Sequence, residues 1–426
     1  MFVVDGEGMI THLHPEASAE GQAALGGFRA AGRLTELAAD QILLPGLVDL
    51  HVHAPQWPQM GKHLDVPLED WLQRHTFPLE ARYADIDFAR SVYADLVSAL
   101  LANGTTTAVY FATIHRPASL ALAETCLALG QRALVGRVAM DDPEQCPPWY
   151  RDADAAEAIA ETRAFIEAVR VLPGNERGLV RPVITPRFIP ACSEAALRGL
   201  GALAAETGCH VQTHASESDW EHGFVLERYG SSDAACLEAM GLLTRRTILA
   251  HGNFLGAEDF ERLGRTGAGV AHCPLSNAYF ANAVFPLRAA LDLGTHVGLG
   301  TDISGGPSPS ILDSARQALV ASRMLEGGVD PDLAPEQRGR QGRGRIGALE
   351  AFWLATAGGG VVLDLPLGQF APGYAFDAIL IDPSAPSGDL RLFPDDRPEQ
   401  VLEKILYNAR RPNIAGAWVA GVRIVL

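Results

Sequence analysis

Short β-rich runs alternate with helix-like windows along most of this chain of 426 residues. Eight such runs lie at residues 47–53, 105–113, 133–141, 180–187, 210–216, 247–251, 269–273 and 296–302. The windows between them, such as SEAALRGLGALAAETG, carry apolar residues at helical spacing and end in glycine, a common stop signal for helices. Eight strand and helix units in alternation predict an α/β fold, a TIM-type (β/α)8 barrel.

The two ends of the chain have a different pattern from the middle. Residues 1–44 and 365–426 contain strand-like stretches with turn residues, among them GQFAPGYAFDAILID and NIAGAWVAGVRIVL. We therefore predict a small β-sandwich domain formed from both chain termini, 1–44 and 365–426, and a barrel domain at 45–364. The Gly-, Pro- and Arg-rich stretch 325–345 is predicted to be a surface connection.

Charge and composition narrow the classes of partner. The chain has 34 basic and 51 acidic residues, a formal net charge of -17, which argues against nucleic acid or an anionic membrane as partner and favours a small neutral or cationic molecule. The six cysteines form no CxxC pair, so we expect no disulfide framework. The first residues lack a basic leader pattern, and no apolar run reaches transmembrane length, so a cytoplasmic location is expected.

Polar residues stand where several predicted strands end. The residues are His51 and His53 on the first run, Arg187 on the fourth, His214 with Glu217 just beyond on the fifth, His251 on the sixth and Asp302 on the eighth. In a (β/α)8 barrel, the C-terminal ends of all eight strands surround one mouth, where active sites lie. These side chains are therefore predicted to converge on one functional site.

The histidine and aspartate residues of this set predict a metal site. His51 and His53 are two positions apart on a strand and so point to the same face. His12 and His14 have the same spacing, but no further candidate ligands accompany them, so we predict that they lie on the surface. Imidazole and carboxylate ligands suit one divalent metal ion per chain, with Zn2+ expected and Fe2+ or Mn2+ as alternatives.

The motifs PGLVDLHVH, HASE, AHG and GLGTD resemble those of the amidohydrolase superfamily, whose members use a (β/α)8 barrel and a metal-bound hydroxide. Binuclear members bridge two metals with a carboxylated lysine on the fourth strand, but Lys62 and Lys404, the only lysines, lie far from that strand. The resemblance therefore implies the mononuclear deaminase pattern. Its metal ligands would be His51, His53, His214 and Asp302.

The same resemblance implies roles for the acid and base groups. His251 would hold the attacking water, and Asp302 would accept the proton of that water. Glu217, three residues after His214, is placed to donate a proton to a ring nitrogen and later to a leaving amine. The predicted reaction is hydrolytic deamination of a cyclic amidine.

Longer stretches resemble the guanine deaminase family within that superfamily. They include HAPQWPQMGKHLDVPLEDWLQRHTFPLEARYADIDFA, NGTTTAVYFATIH, PVITPRFIPACSE and AHCPLSN. The resemblance implies conversion of guanine to xanthine and ammonia in a homodimer, with the purine bound by Gln56, Arg187 and Phe188 beside His214. Arginine's planar fork matches guanine O6 and N7, and phenylalanine offers a flat face. Family members begin with a longer N-terminal segment, which leaves two alternatives: the start of this sequence is misplaced, or the N-terminal part of the sandwich is abbreviated.

Other functions share these ligands. One alternative is a related aminohydrolase that acts on another heterocycle, such as 8-oxoguanine, a pterin, an adenosine derivative or a triazine. Another is a catalytically silent scaffold that binds a partner through its acidic surface. Individual residues also have structural alternatives. In these, Arg187 pairs with a carboxylate, Gln56 lies on a loop surface and Phe188 only packs against neighbours. Trp57, Trp71 and Phe77 would form the core of the segment after the first strand instead of covering the site, and His115 would be a structural residue.

Overall fold

The structure is a computed structural model that describes residues 1–425, so the predicted segment 365–426 extends one residue beyond it. Its strands are β1 (Phe2–Val4), β2 (Ile10–Leu13), β3 (Ile42–Pro45), β4 (Leu47–His53), β5 (Thr105–Phe111), β6 (Arg132–Gly136), β7 (Val138–Ala139), β8 (Val180–Pro186), β9 (His210–Ala215), β10 (Thr247–His251), β11 (Gly269–His272), β12 (His296–Leu299), β13 (Ala378–Ile381), β14 (Ile414–Val419) and β15 (Val422–Ile424). Its helices are α1 (Ala19–Ala30), α2 (Leu68–Trp71), α3 (Phe77–Ala81), α4 (Ile86–Ala102), α5 (Arg116–Leu129), α6 (Ala155–Arg170), α7 (Glu194–Thr207), α8 (Asp219–Tyr229), α9 (Asp233–Ala239), α10 (Ala257–Thr266), α11 (Pro274–Phe280), α12 (Leu287–Asp292), α13 (Ile311–Gly327), α14 (Ala348–Ala355), α15 (Ala357–Leu363) and α16 (Pro398–Asn408).

The middle of the chain forms a parallel barrel, which confirms the predicted fold. Strands pair in the order β4, β5, β6, β8, β9, β10, β11 and β12, and β7 pairs with β8 as a short continuation of the third predicted run. Every residue of β4 and β5 is buried, as expected for parallel strands covered by helices on one side and filled by side chains on the other. Within residues 1–425, no helix has the length and apolar character to cross a membrane.

Hydrogen bonds between the first strand and the segment after the last strand close the barrel. The Asp302 amide donates to the His51 carbonyl at 2.8 Å, and the His53 amide donates to the Ile303 carbonyl at 2.9 Å. Both bonds involve residues at or next to the predicted metal ligands. The closure of the barrel therefore brings His51, His53 and Asp302 to the same place.

A buried carboxylate reinforces this seam. Asp49, with 0% of its surface exposed, accepts hydrogen bonds from the Thr301 hydroxyl at 2.6 Å and the Thr301 amide at 3.0 Å. It also accepts one from the His51 amide at 3.2 Å. Burial raises the pKa of Asp49 to about 7 even though these hydrogen bonds favour the charged form. Asp49 thus links the first strand of the barrel to the residues that follow the eighth.

The helices that cover the barrel begin and end at local sequence signals. The predicted window SEAALRGLGALAAETG forms α7, whose N-cap Ser193 accepts a hydrogen bond from the Ala196 amide. Gly208 ends the helix with a φ of 65°, a conformation that glycine adopts without steric cost. Leu197 and Leu200 face inward, so α7 fixes the end of β8 and the start of β9 against the barrel.

Strands from both termini form the smaller part of the molecule. The four-stranded antiparallel sheet has the order β15, β14, β13 and β3, and β1 pairs with β2 in a separate hairpin. The hairpin is joined to the C-terminal segment, because the Ile10 amide donates to the Tyr374 carbonyl at 2.8 Å. This arrangement fits the predicted small sandwich. The division of the chain at 44/45 and 364/365 stays a prediction.

Two helices lie in terminal segments that were predicted to be strand-like, and there the prediction is wrong. In α1, the Ser18 hydroxyl accepts a hydrogen bond from the Gly21 amide and caps a segment without strand-like alternation. This segment contains three glycines, but its alanine, glutamine and leucine residues are good helix formers. In α16, Pro398 occupies the first turn, and the Ile405 and Leu406 side chains are buried. The surface connection predicted at 325–345 is exposed over most of its length, although α13 extends into it.

Replacing Thr301 with valine should destabilise the barrel seam. The variant keeps the shape of the side chain but leaves one oxygen of buried Asp49 without its hydroxyl donor. We expect the free energy of unfolding to fall by about 2 kcal/mol, the usual cost of losing a hydrogen bond to a charged buried group. Urea unfolding followed by circular dichroism measures this change.

Thr162→Val is a matched control for this prediction. Thr162 is also fully buried, but its hydroxyl donates to the Ala158 carbonyl one helical turn earlier. That carbonyl keeps its place in the helix, so we expect a change below about 1 kcal/mol. Equal losses of unfolding free energy in the two variants would show that the hydrogen bond to Asp49 stabilises the fold no more than the one within the helix.

Candidate active site

Five predicted side chains converge at the C-terminal end of the barrel. They are His51 and His53 on β4, His214 on β9, His251 at the end of β10 and Asp302 just after β12, and each is at most 6% exposed. Triplets of their nitrogen and oxygen atoms lie within 4.8 Å of one another. The structure thus brings together the whole predicted set of ligand-type residues.

The distances within this cluster fit a single divalent ion. The separations are 2.9 Å between His53 Nε2 and His214 Nε2, 3.1 Å between His51 Nε2 and Asp302 Oδ1, and 3.6 Å between His53 Nε2 and Asp302 Oδ1. Ligands at zinc distances in a tetrahedron stand about 3.3 Å apart. The observed values lie on both sides of this figure, so the four predicted ligands can surround one ion.

The protonation states of the imidazoles also suit metal binding. His214 Nδ1 donates to the Arg187 carbonyl at 2.5 Å, so its Nε2 carries a lone pair towards His53. His51 Nε2 is buried and has no hydrogen-bond partner among the described residues. Burial lowers the pKa of His51, His53 and His214 well below the ordinary value, which keeps these rings neutral. Neutral imidazoles whose lone pairs face each other are stabilised by a cation between them.

His251 is oriented by a chain of amides. Its Nδ1 donates to Asn277 Oδ1 at 2.9 Å, Asn277 Nδ2 donates to Asn253 Oδ1 at 2.7 Å, and Asn253 Nδ2 donates to the Glu217 carbonyl at 2.8 Å. The Nε2 atom of His251 therefore faces the site, 3.9 Å from Asp302 Oδ2. Sequence reasoning missed both asparagines, although Asn277 ends the motif AHCPLSN.

Unusual backbone conformations accompany these residues. His251, Asp302 and Ser216 have positive φ values of 73°, 51° and 53°. Side chains other than glycine adopt this region at a cost, and it is found where surrounding contacts hold a functional geometry. All three residues lie at or just beyond the ends of barrel strands, and they are three of the seven non-glycine residues with positive φ in the described part of the chain.

Glu217 lies at the edge of the cluster, where β9 leads into α8. Its Oε1 is 3.6 Å from His251 Nε2, and its amide donates to Glu221 Oε2 at 2.7 Å. Burial raises the pKa of Glu217 well above the ordinary value, and the nearby Asp302 carboxylate raises it further. Glu217 therefore tends to keep a proton near neutral pH.

A pocket opens next to the cluster and contains the predicted substrate contacts. Its lining includes His53, Gln56, Leu68, Trp71, Leu72, Arg187, Phe188, His214, Glu217, Phe280, Asp302 and Gly305. The polar groups lie towards the barrel, and leucine and aromatic side chains form the outer walls. Gln56 and Arg187 are 1% and 2% exposed, so neither is a loop-surface residue.

The segment after β4 both covers the pocket and forms a core of its own. Trp71 lines the pocket and packs with Phe77 in one buried cluster, so the two alternatives left open by the sequence are not exclusive. Trp57 lies elsewhere and donates to Asp95 at 2.6 Å. His115 does not line the pocket and lies at the start of α5.

Glu80 contacts two of the predicted substrate residues, and sequence reasoning missed it. It is 0% exposed on α3 and accepts hydrogen bonds from Arg187 at 2.6 and 3.1 Å and from Gln56 at 2.9 Å. Arg187 thus pairs with a carboxylate, as one alternative held, and still lines the pocket. The stretch TFPLEAR contains Glu80, but a single acidic residue in a helix-like window carries no signal of burial.

Comparison with known proteins identifies the family to which this chain belongs. The model of the amidohydrolase family matches residues 42–424. The chain belongs to the amidohydrolase family. Among its relatives, a probable guanine deaminase of Schizosaccharomyces pombe is 40% identical over 387 residues, which are 89% of this chain and 71% of the relative. Human guanine deaminase is 38% identical over 400 residues, 92% of this chain and 85% of the relative.

A solved structure agrees along the whole length of this amidohydrolase. The crystal structure of guanine deaminase from C. acetobutylicum with guanine bound in its active site has a TM-score of 0.87 and 29% identity. The match covers 100% of this chain and 94% of the other. These findings confirm the predicted family, the barrel fold and hydrolytic action on C–N bonds. The family depends on a metal, and the His and Asp cluster fits that requirement.

Chelation should lower the thermal stability of the amidohydrolase. Removal of an ion from buried, mutually facing imidazoles leaves their lone pairs uncompensated. An ion present at about 100 times its dissociation constant contributes roughly 3 kcal/mol to the native state. We expect the unfolding temperature to fall on addition of a chelator and to recover with added Zn2+, measured by differential scanning calorimetry.

Two histidine variants test whether this effect belongs to the cluster. His53→Ala should make the unfolding temperature insensitive to the chelator. His12→Ala, at an exposed histidine in the N-terminal strand β2, should leave the sensitivity intact. If the wild-type unfolding temperature does not change after metal analysis confirms removal, the cluster is not a metal site.

Proposed function

We propose that this chain deaminates guanine hydrolytically, giving xanthine and ammonia. The observation that carries the proposal is that Gln56, Arg187 and Phe188 line the same pocket as the His and Asp cluster. A purine in this pocket would meet hydrogen-bonding groups and an aromatic ring on one side and the reacting groups on the other. The guanine held by the C. acetobutylicum enzyme further supports this substrate.

In this proposal His51, His53, His214 and Asp302 hold one divalent ion, with Zn2+ preferred. Neutral imidazoles and one carboxylate form a ligand set that zinc favours at catalytic sites. When bound, the ion lowers the pKa of a water molecule so that hydroxide is available near neutral pH. Fe2+ and Mn2+ would fit the same ligands.

The chain's own residues move the protons. Asp302 Oδ2 and His251 Nε2 face the same space and are 3.9 Å apart, so they can hold the attacking water between them and accept its proton. Glu217 is protonated because of its burial and donates to a ring nitrogen of guanine as C2 is attacked. Asp302 then returns the proton of the attacking water to Glu217, which passes it to the departing amine. The hydroxyl group at C2 reprotonates Glu217 as it becomes the carbonyl of xanthine.

Other residues that line the pocket are proposed to recognise the substrate. Arg187 uses one N–H of each terminal nitrogen for Glu80, and its remaining N–H donors suit the O6 and N7 acceptors of guanine. Gln56 can both donate and accept along the polar edge of the purine. Phe188, with His214 beside it at a ring distance of 6.2 Å, supplies an apolar face.

Steady-state kinetics with purified, metal-loaded protein tests the proposal. We expect guanine to be consumed with the appearance of xanthine and an equal amount of ammonia. The comparison substrates are 8-oxoguanine, a pterin, adenosine and a triazine, which related aminohydrolases could use with the same ligands. A kcat/KM for guanine no higher than for one of these would reject guanine as the substrate, and no turnover at all would favour a silent scaffold.

Replacing Glu217 with glutamine should nearly abolish turnover. The variant keeps the size and hydrogen bonding of the side chain but cannot supply the proton. Loss of one general acid lowers kcat by roughly 100- to 10,000-fold. Stopped assays of xanthine formation measure this effect, with metal content as a control. Unchanged metal content with unchanged kcat would contradict the proposed role of Glu217.

The expected homodimer and cytoplasmic location stay predictions. Sedimentation velocity of the purified protein tests the dimer directly.

A further inference from the structure

The buried carboxylate of Glu80 bonds to two of the predicted purine contacts, Gln56 and Arg187, and to Tyr150. Its Oε1 accepts from Gln56 Nε2 at 2.9 Å and Arg187 Nη2 at 3.1 Å. Its Oε2 accepts from Arg187 Nη1 at 2.6 Å and the Tyr150 hydroxyl at 2.8 Å. Four donors thus meet on one carboxylate that is 0% exposed.

We propose that Glu80 is the positioning residue for purine recognition, because it alone holds both Gln56 and Arg187 in the orientation that reads the purine. The inference rests on the proposed function. Glu80 does not line the pocket and therefore acts through the two residues that do.

The amide of Gln56 is held at both ends. Nε2 donates to Glu80, and Oε1 accepts from the Ser304 amide at 3.2 Å. Because these partners have opposite hydrogen-bonding character, a flipped amide would lose both bonds. One N–H and one lone pair of Gln56 remain for the pocket in a fixed arrangement.

Arg187 is held in a comparable way. Its two terminal nitrogens form a forked pair with Glu80, and its guanidinium lies 4.9 Å from the centre of the Phe77 ring. The remaining guanidinium N–H donors are free for a ligand. The carbonyl of Arg187 also accepts from His214 Nδ1, so a displacement of this residue would reach the metal cluster.

A second buried ion pair provides a comparison with a purely structural role. Arg137 and Asp152 form a forked pair whose side chains are 3% and 2% exposed, close to the 2% and 0% of Arg187 and Glu80. Neither Arg137 nor Asp152 lines the purine pocket. If Glu80 contributed only to stability, Glu80→Gln and Asp152→Asn would change KM for guanine to the same extent.

The main experiment compares Glu80→Gln with Asp152→Asn in metal-loaded enzyme. For Glu80→Gln we expect kcat/KM for guanine to fall by roughly 100-fold, mostly through KM, because the guanidinium loses its charged partner and the Gln56 amide its anchor. For Asp152→Asn we expect KM within about 3-fold of the wild type, since its pair does not contact the pocket. Metal content should be unchanged in both.

A substrate analogue separates positioning from general disruption. 2-Aminopurine lacks the O6 atom proposed to contact Arg187, and its inhibition constant against guanine turnover can be measured in each variant. We expect Glu80→Gln to raise this constant by a smaller factor than KM for guanine, because 2-aminopurine keeps N7 and the edge read by Gln56 but has no O6 contact to lose. Equal weakening of guanine and 2-aminopurine would indicate disruption of the whole pocket and overturn the inference.

Tyr150→Phe covers the case in which Glu80→Gln does not fold. It removes one hydrogen bond to Glu80 and keeps the charge pair with Arg187. We expect a rise of roughly 3- to 10-fold in KM for guanine and a smaller rise in the constant for 2-aminopurine. An unchanged KM for guanine in the folded variants overturns the inference. Absence of guanine turnover by the wild type would instead overturn the proposed function.

Discussion

The site depends on the closure of the barrel between its first strand and the chain after its eighth. Asp302 and His51 are 251 residues apart in sequence and share a backbone hydrogen bond of 2.8 Å at this seam. Without closure, the two β4 histidines and the aspartate would lie at opposite edges of an open sheet. The buried Asp49, bonded to Thr301, strengthens the same seam. Fold stability and metal-site geometry therefore depend on the same few contacts.

The pocket is formed of polar groups that would be costly to bury alone. Three of them have a hydrogen-bond partner on another element: His251 with Asn277, His214 with the Arg187 carbonyl, and Arg187 with Glu80. Such partners restrict both the tautomer and the direction of a side chain. The reacting groups are consequently held in place before any ligand enters.

Much of the fold and the site could be predicted because their signals are local. Alternating strand and helix patterns identified all eight barrel strands, and spacing placed His51 and His53 on one face. The prediction was wrong for α1 and α16, where short helices were read as strand-like. Glu80, Asn253 and Asn277 were missed because their importance comes from long-range contacts, and an acidic or amide side chain in a helix or loop is usually exposed.

The sequence by itself determined the barrel, the family and the ligand types, since periodicity and short motifs depend only on neighbouring residues. Only the tertiary structure decided that Arg187 is paired with Glu80, that Gln56 is held at both ends, and that burial raises the pKa of Glu217 well above its ordinary value. Partners brought together from distant segments and the exclusion of water set hydrogen bonding and pKa. Neither property can be read from residues in order along the chain.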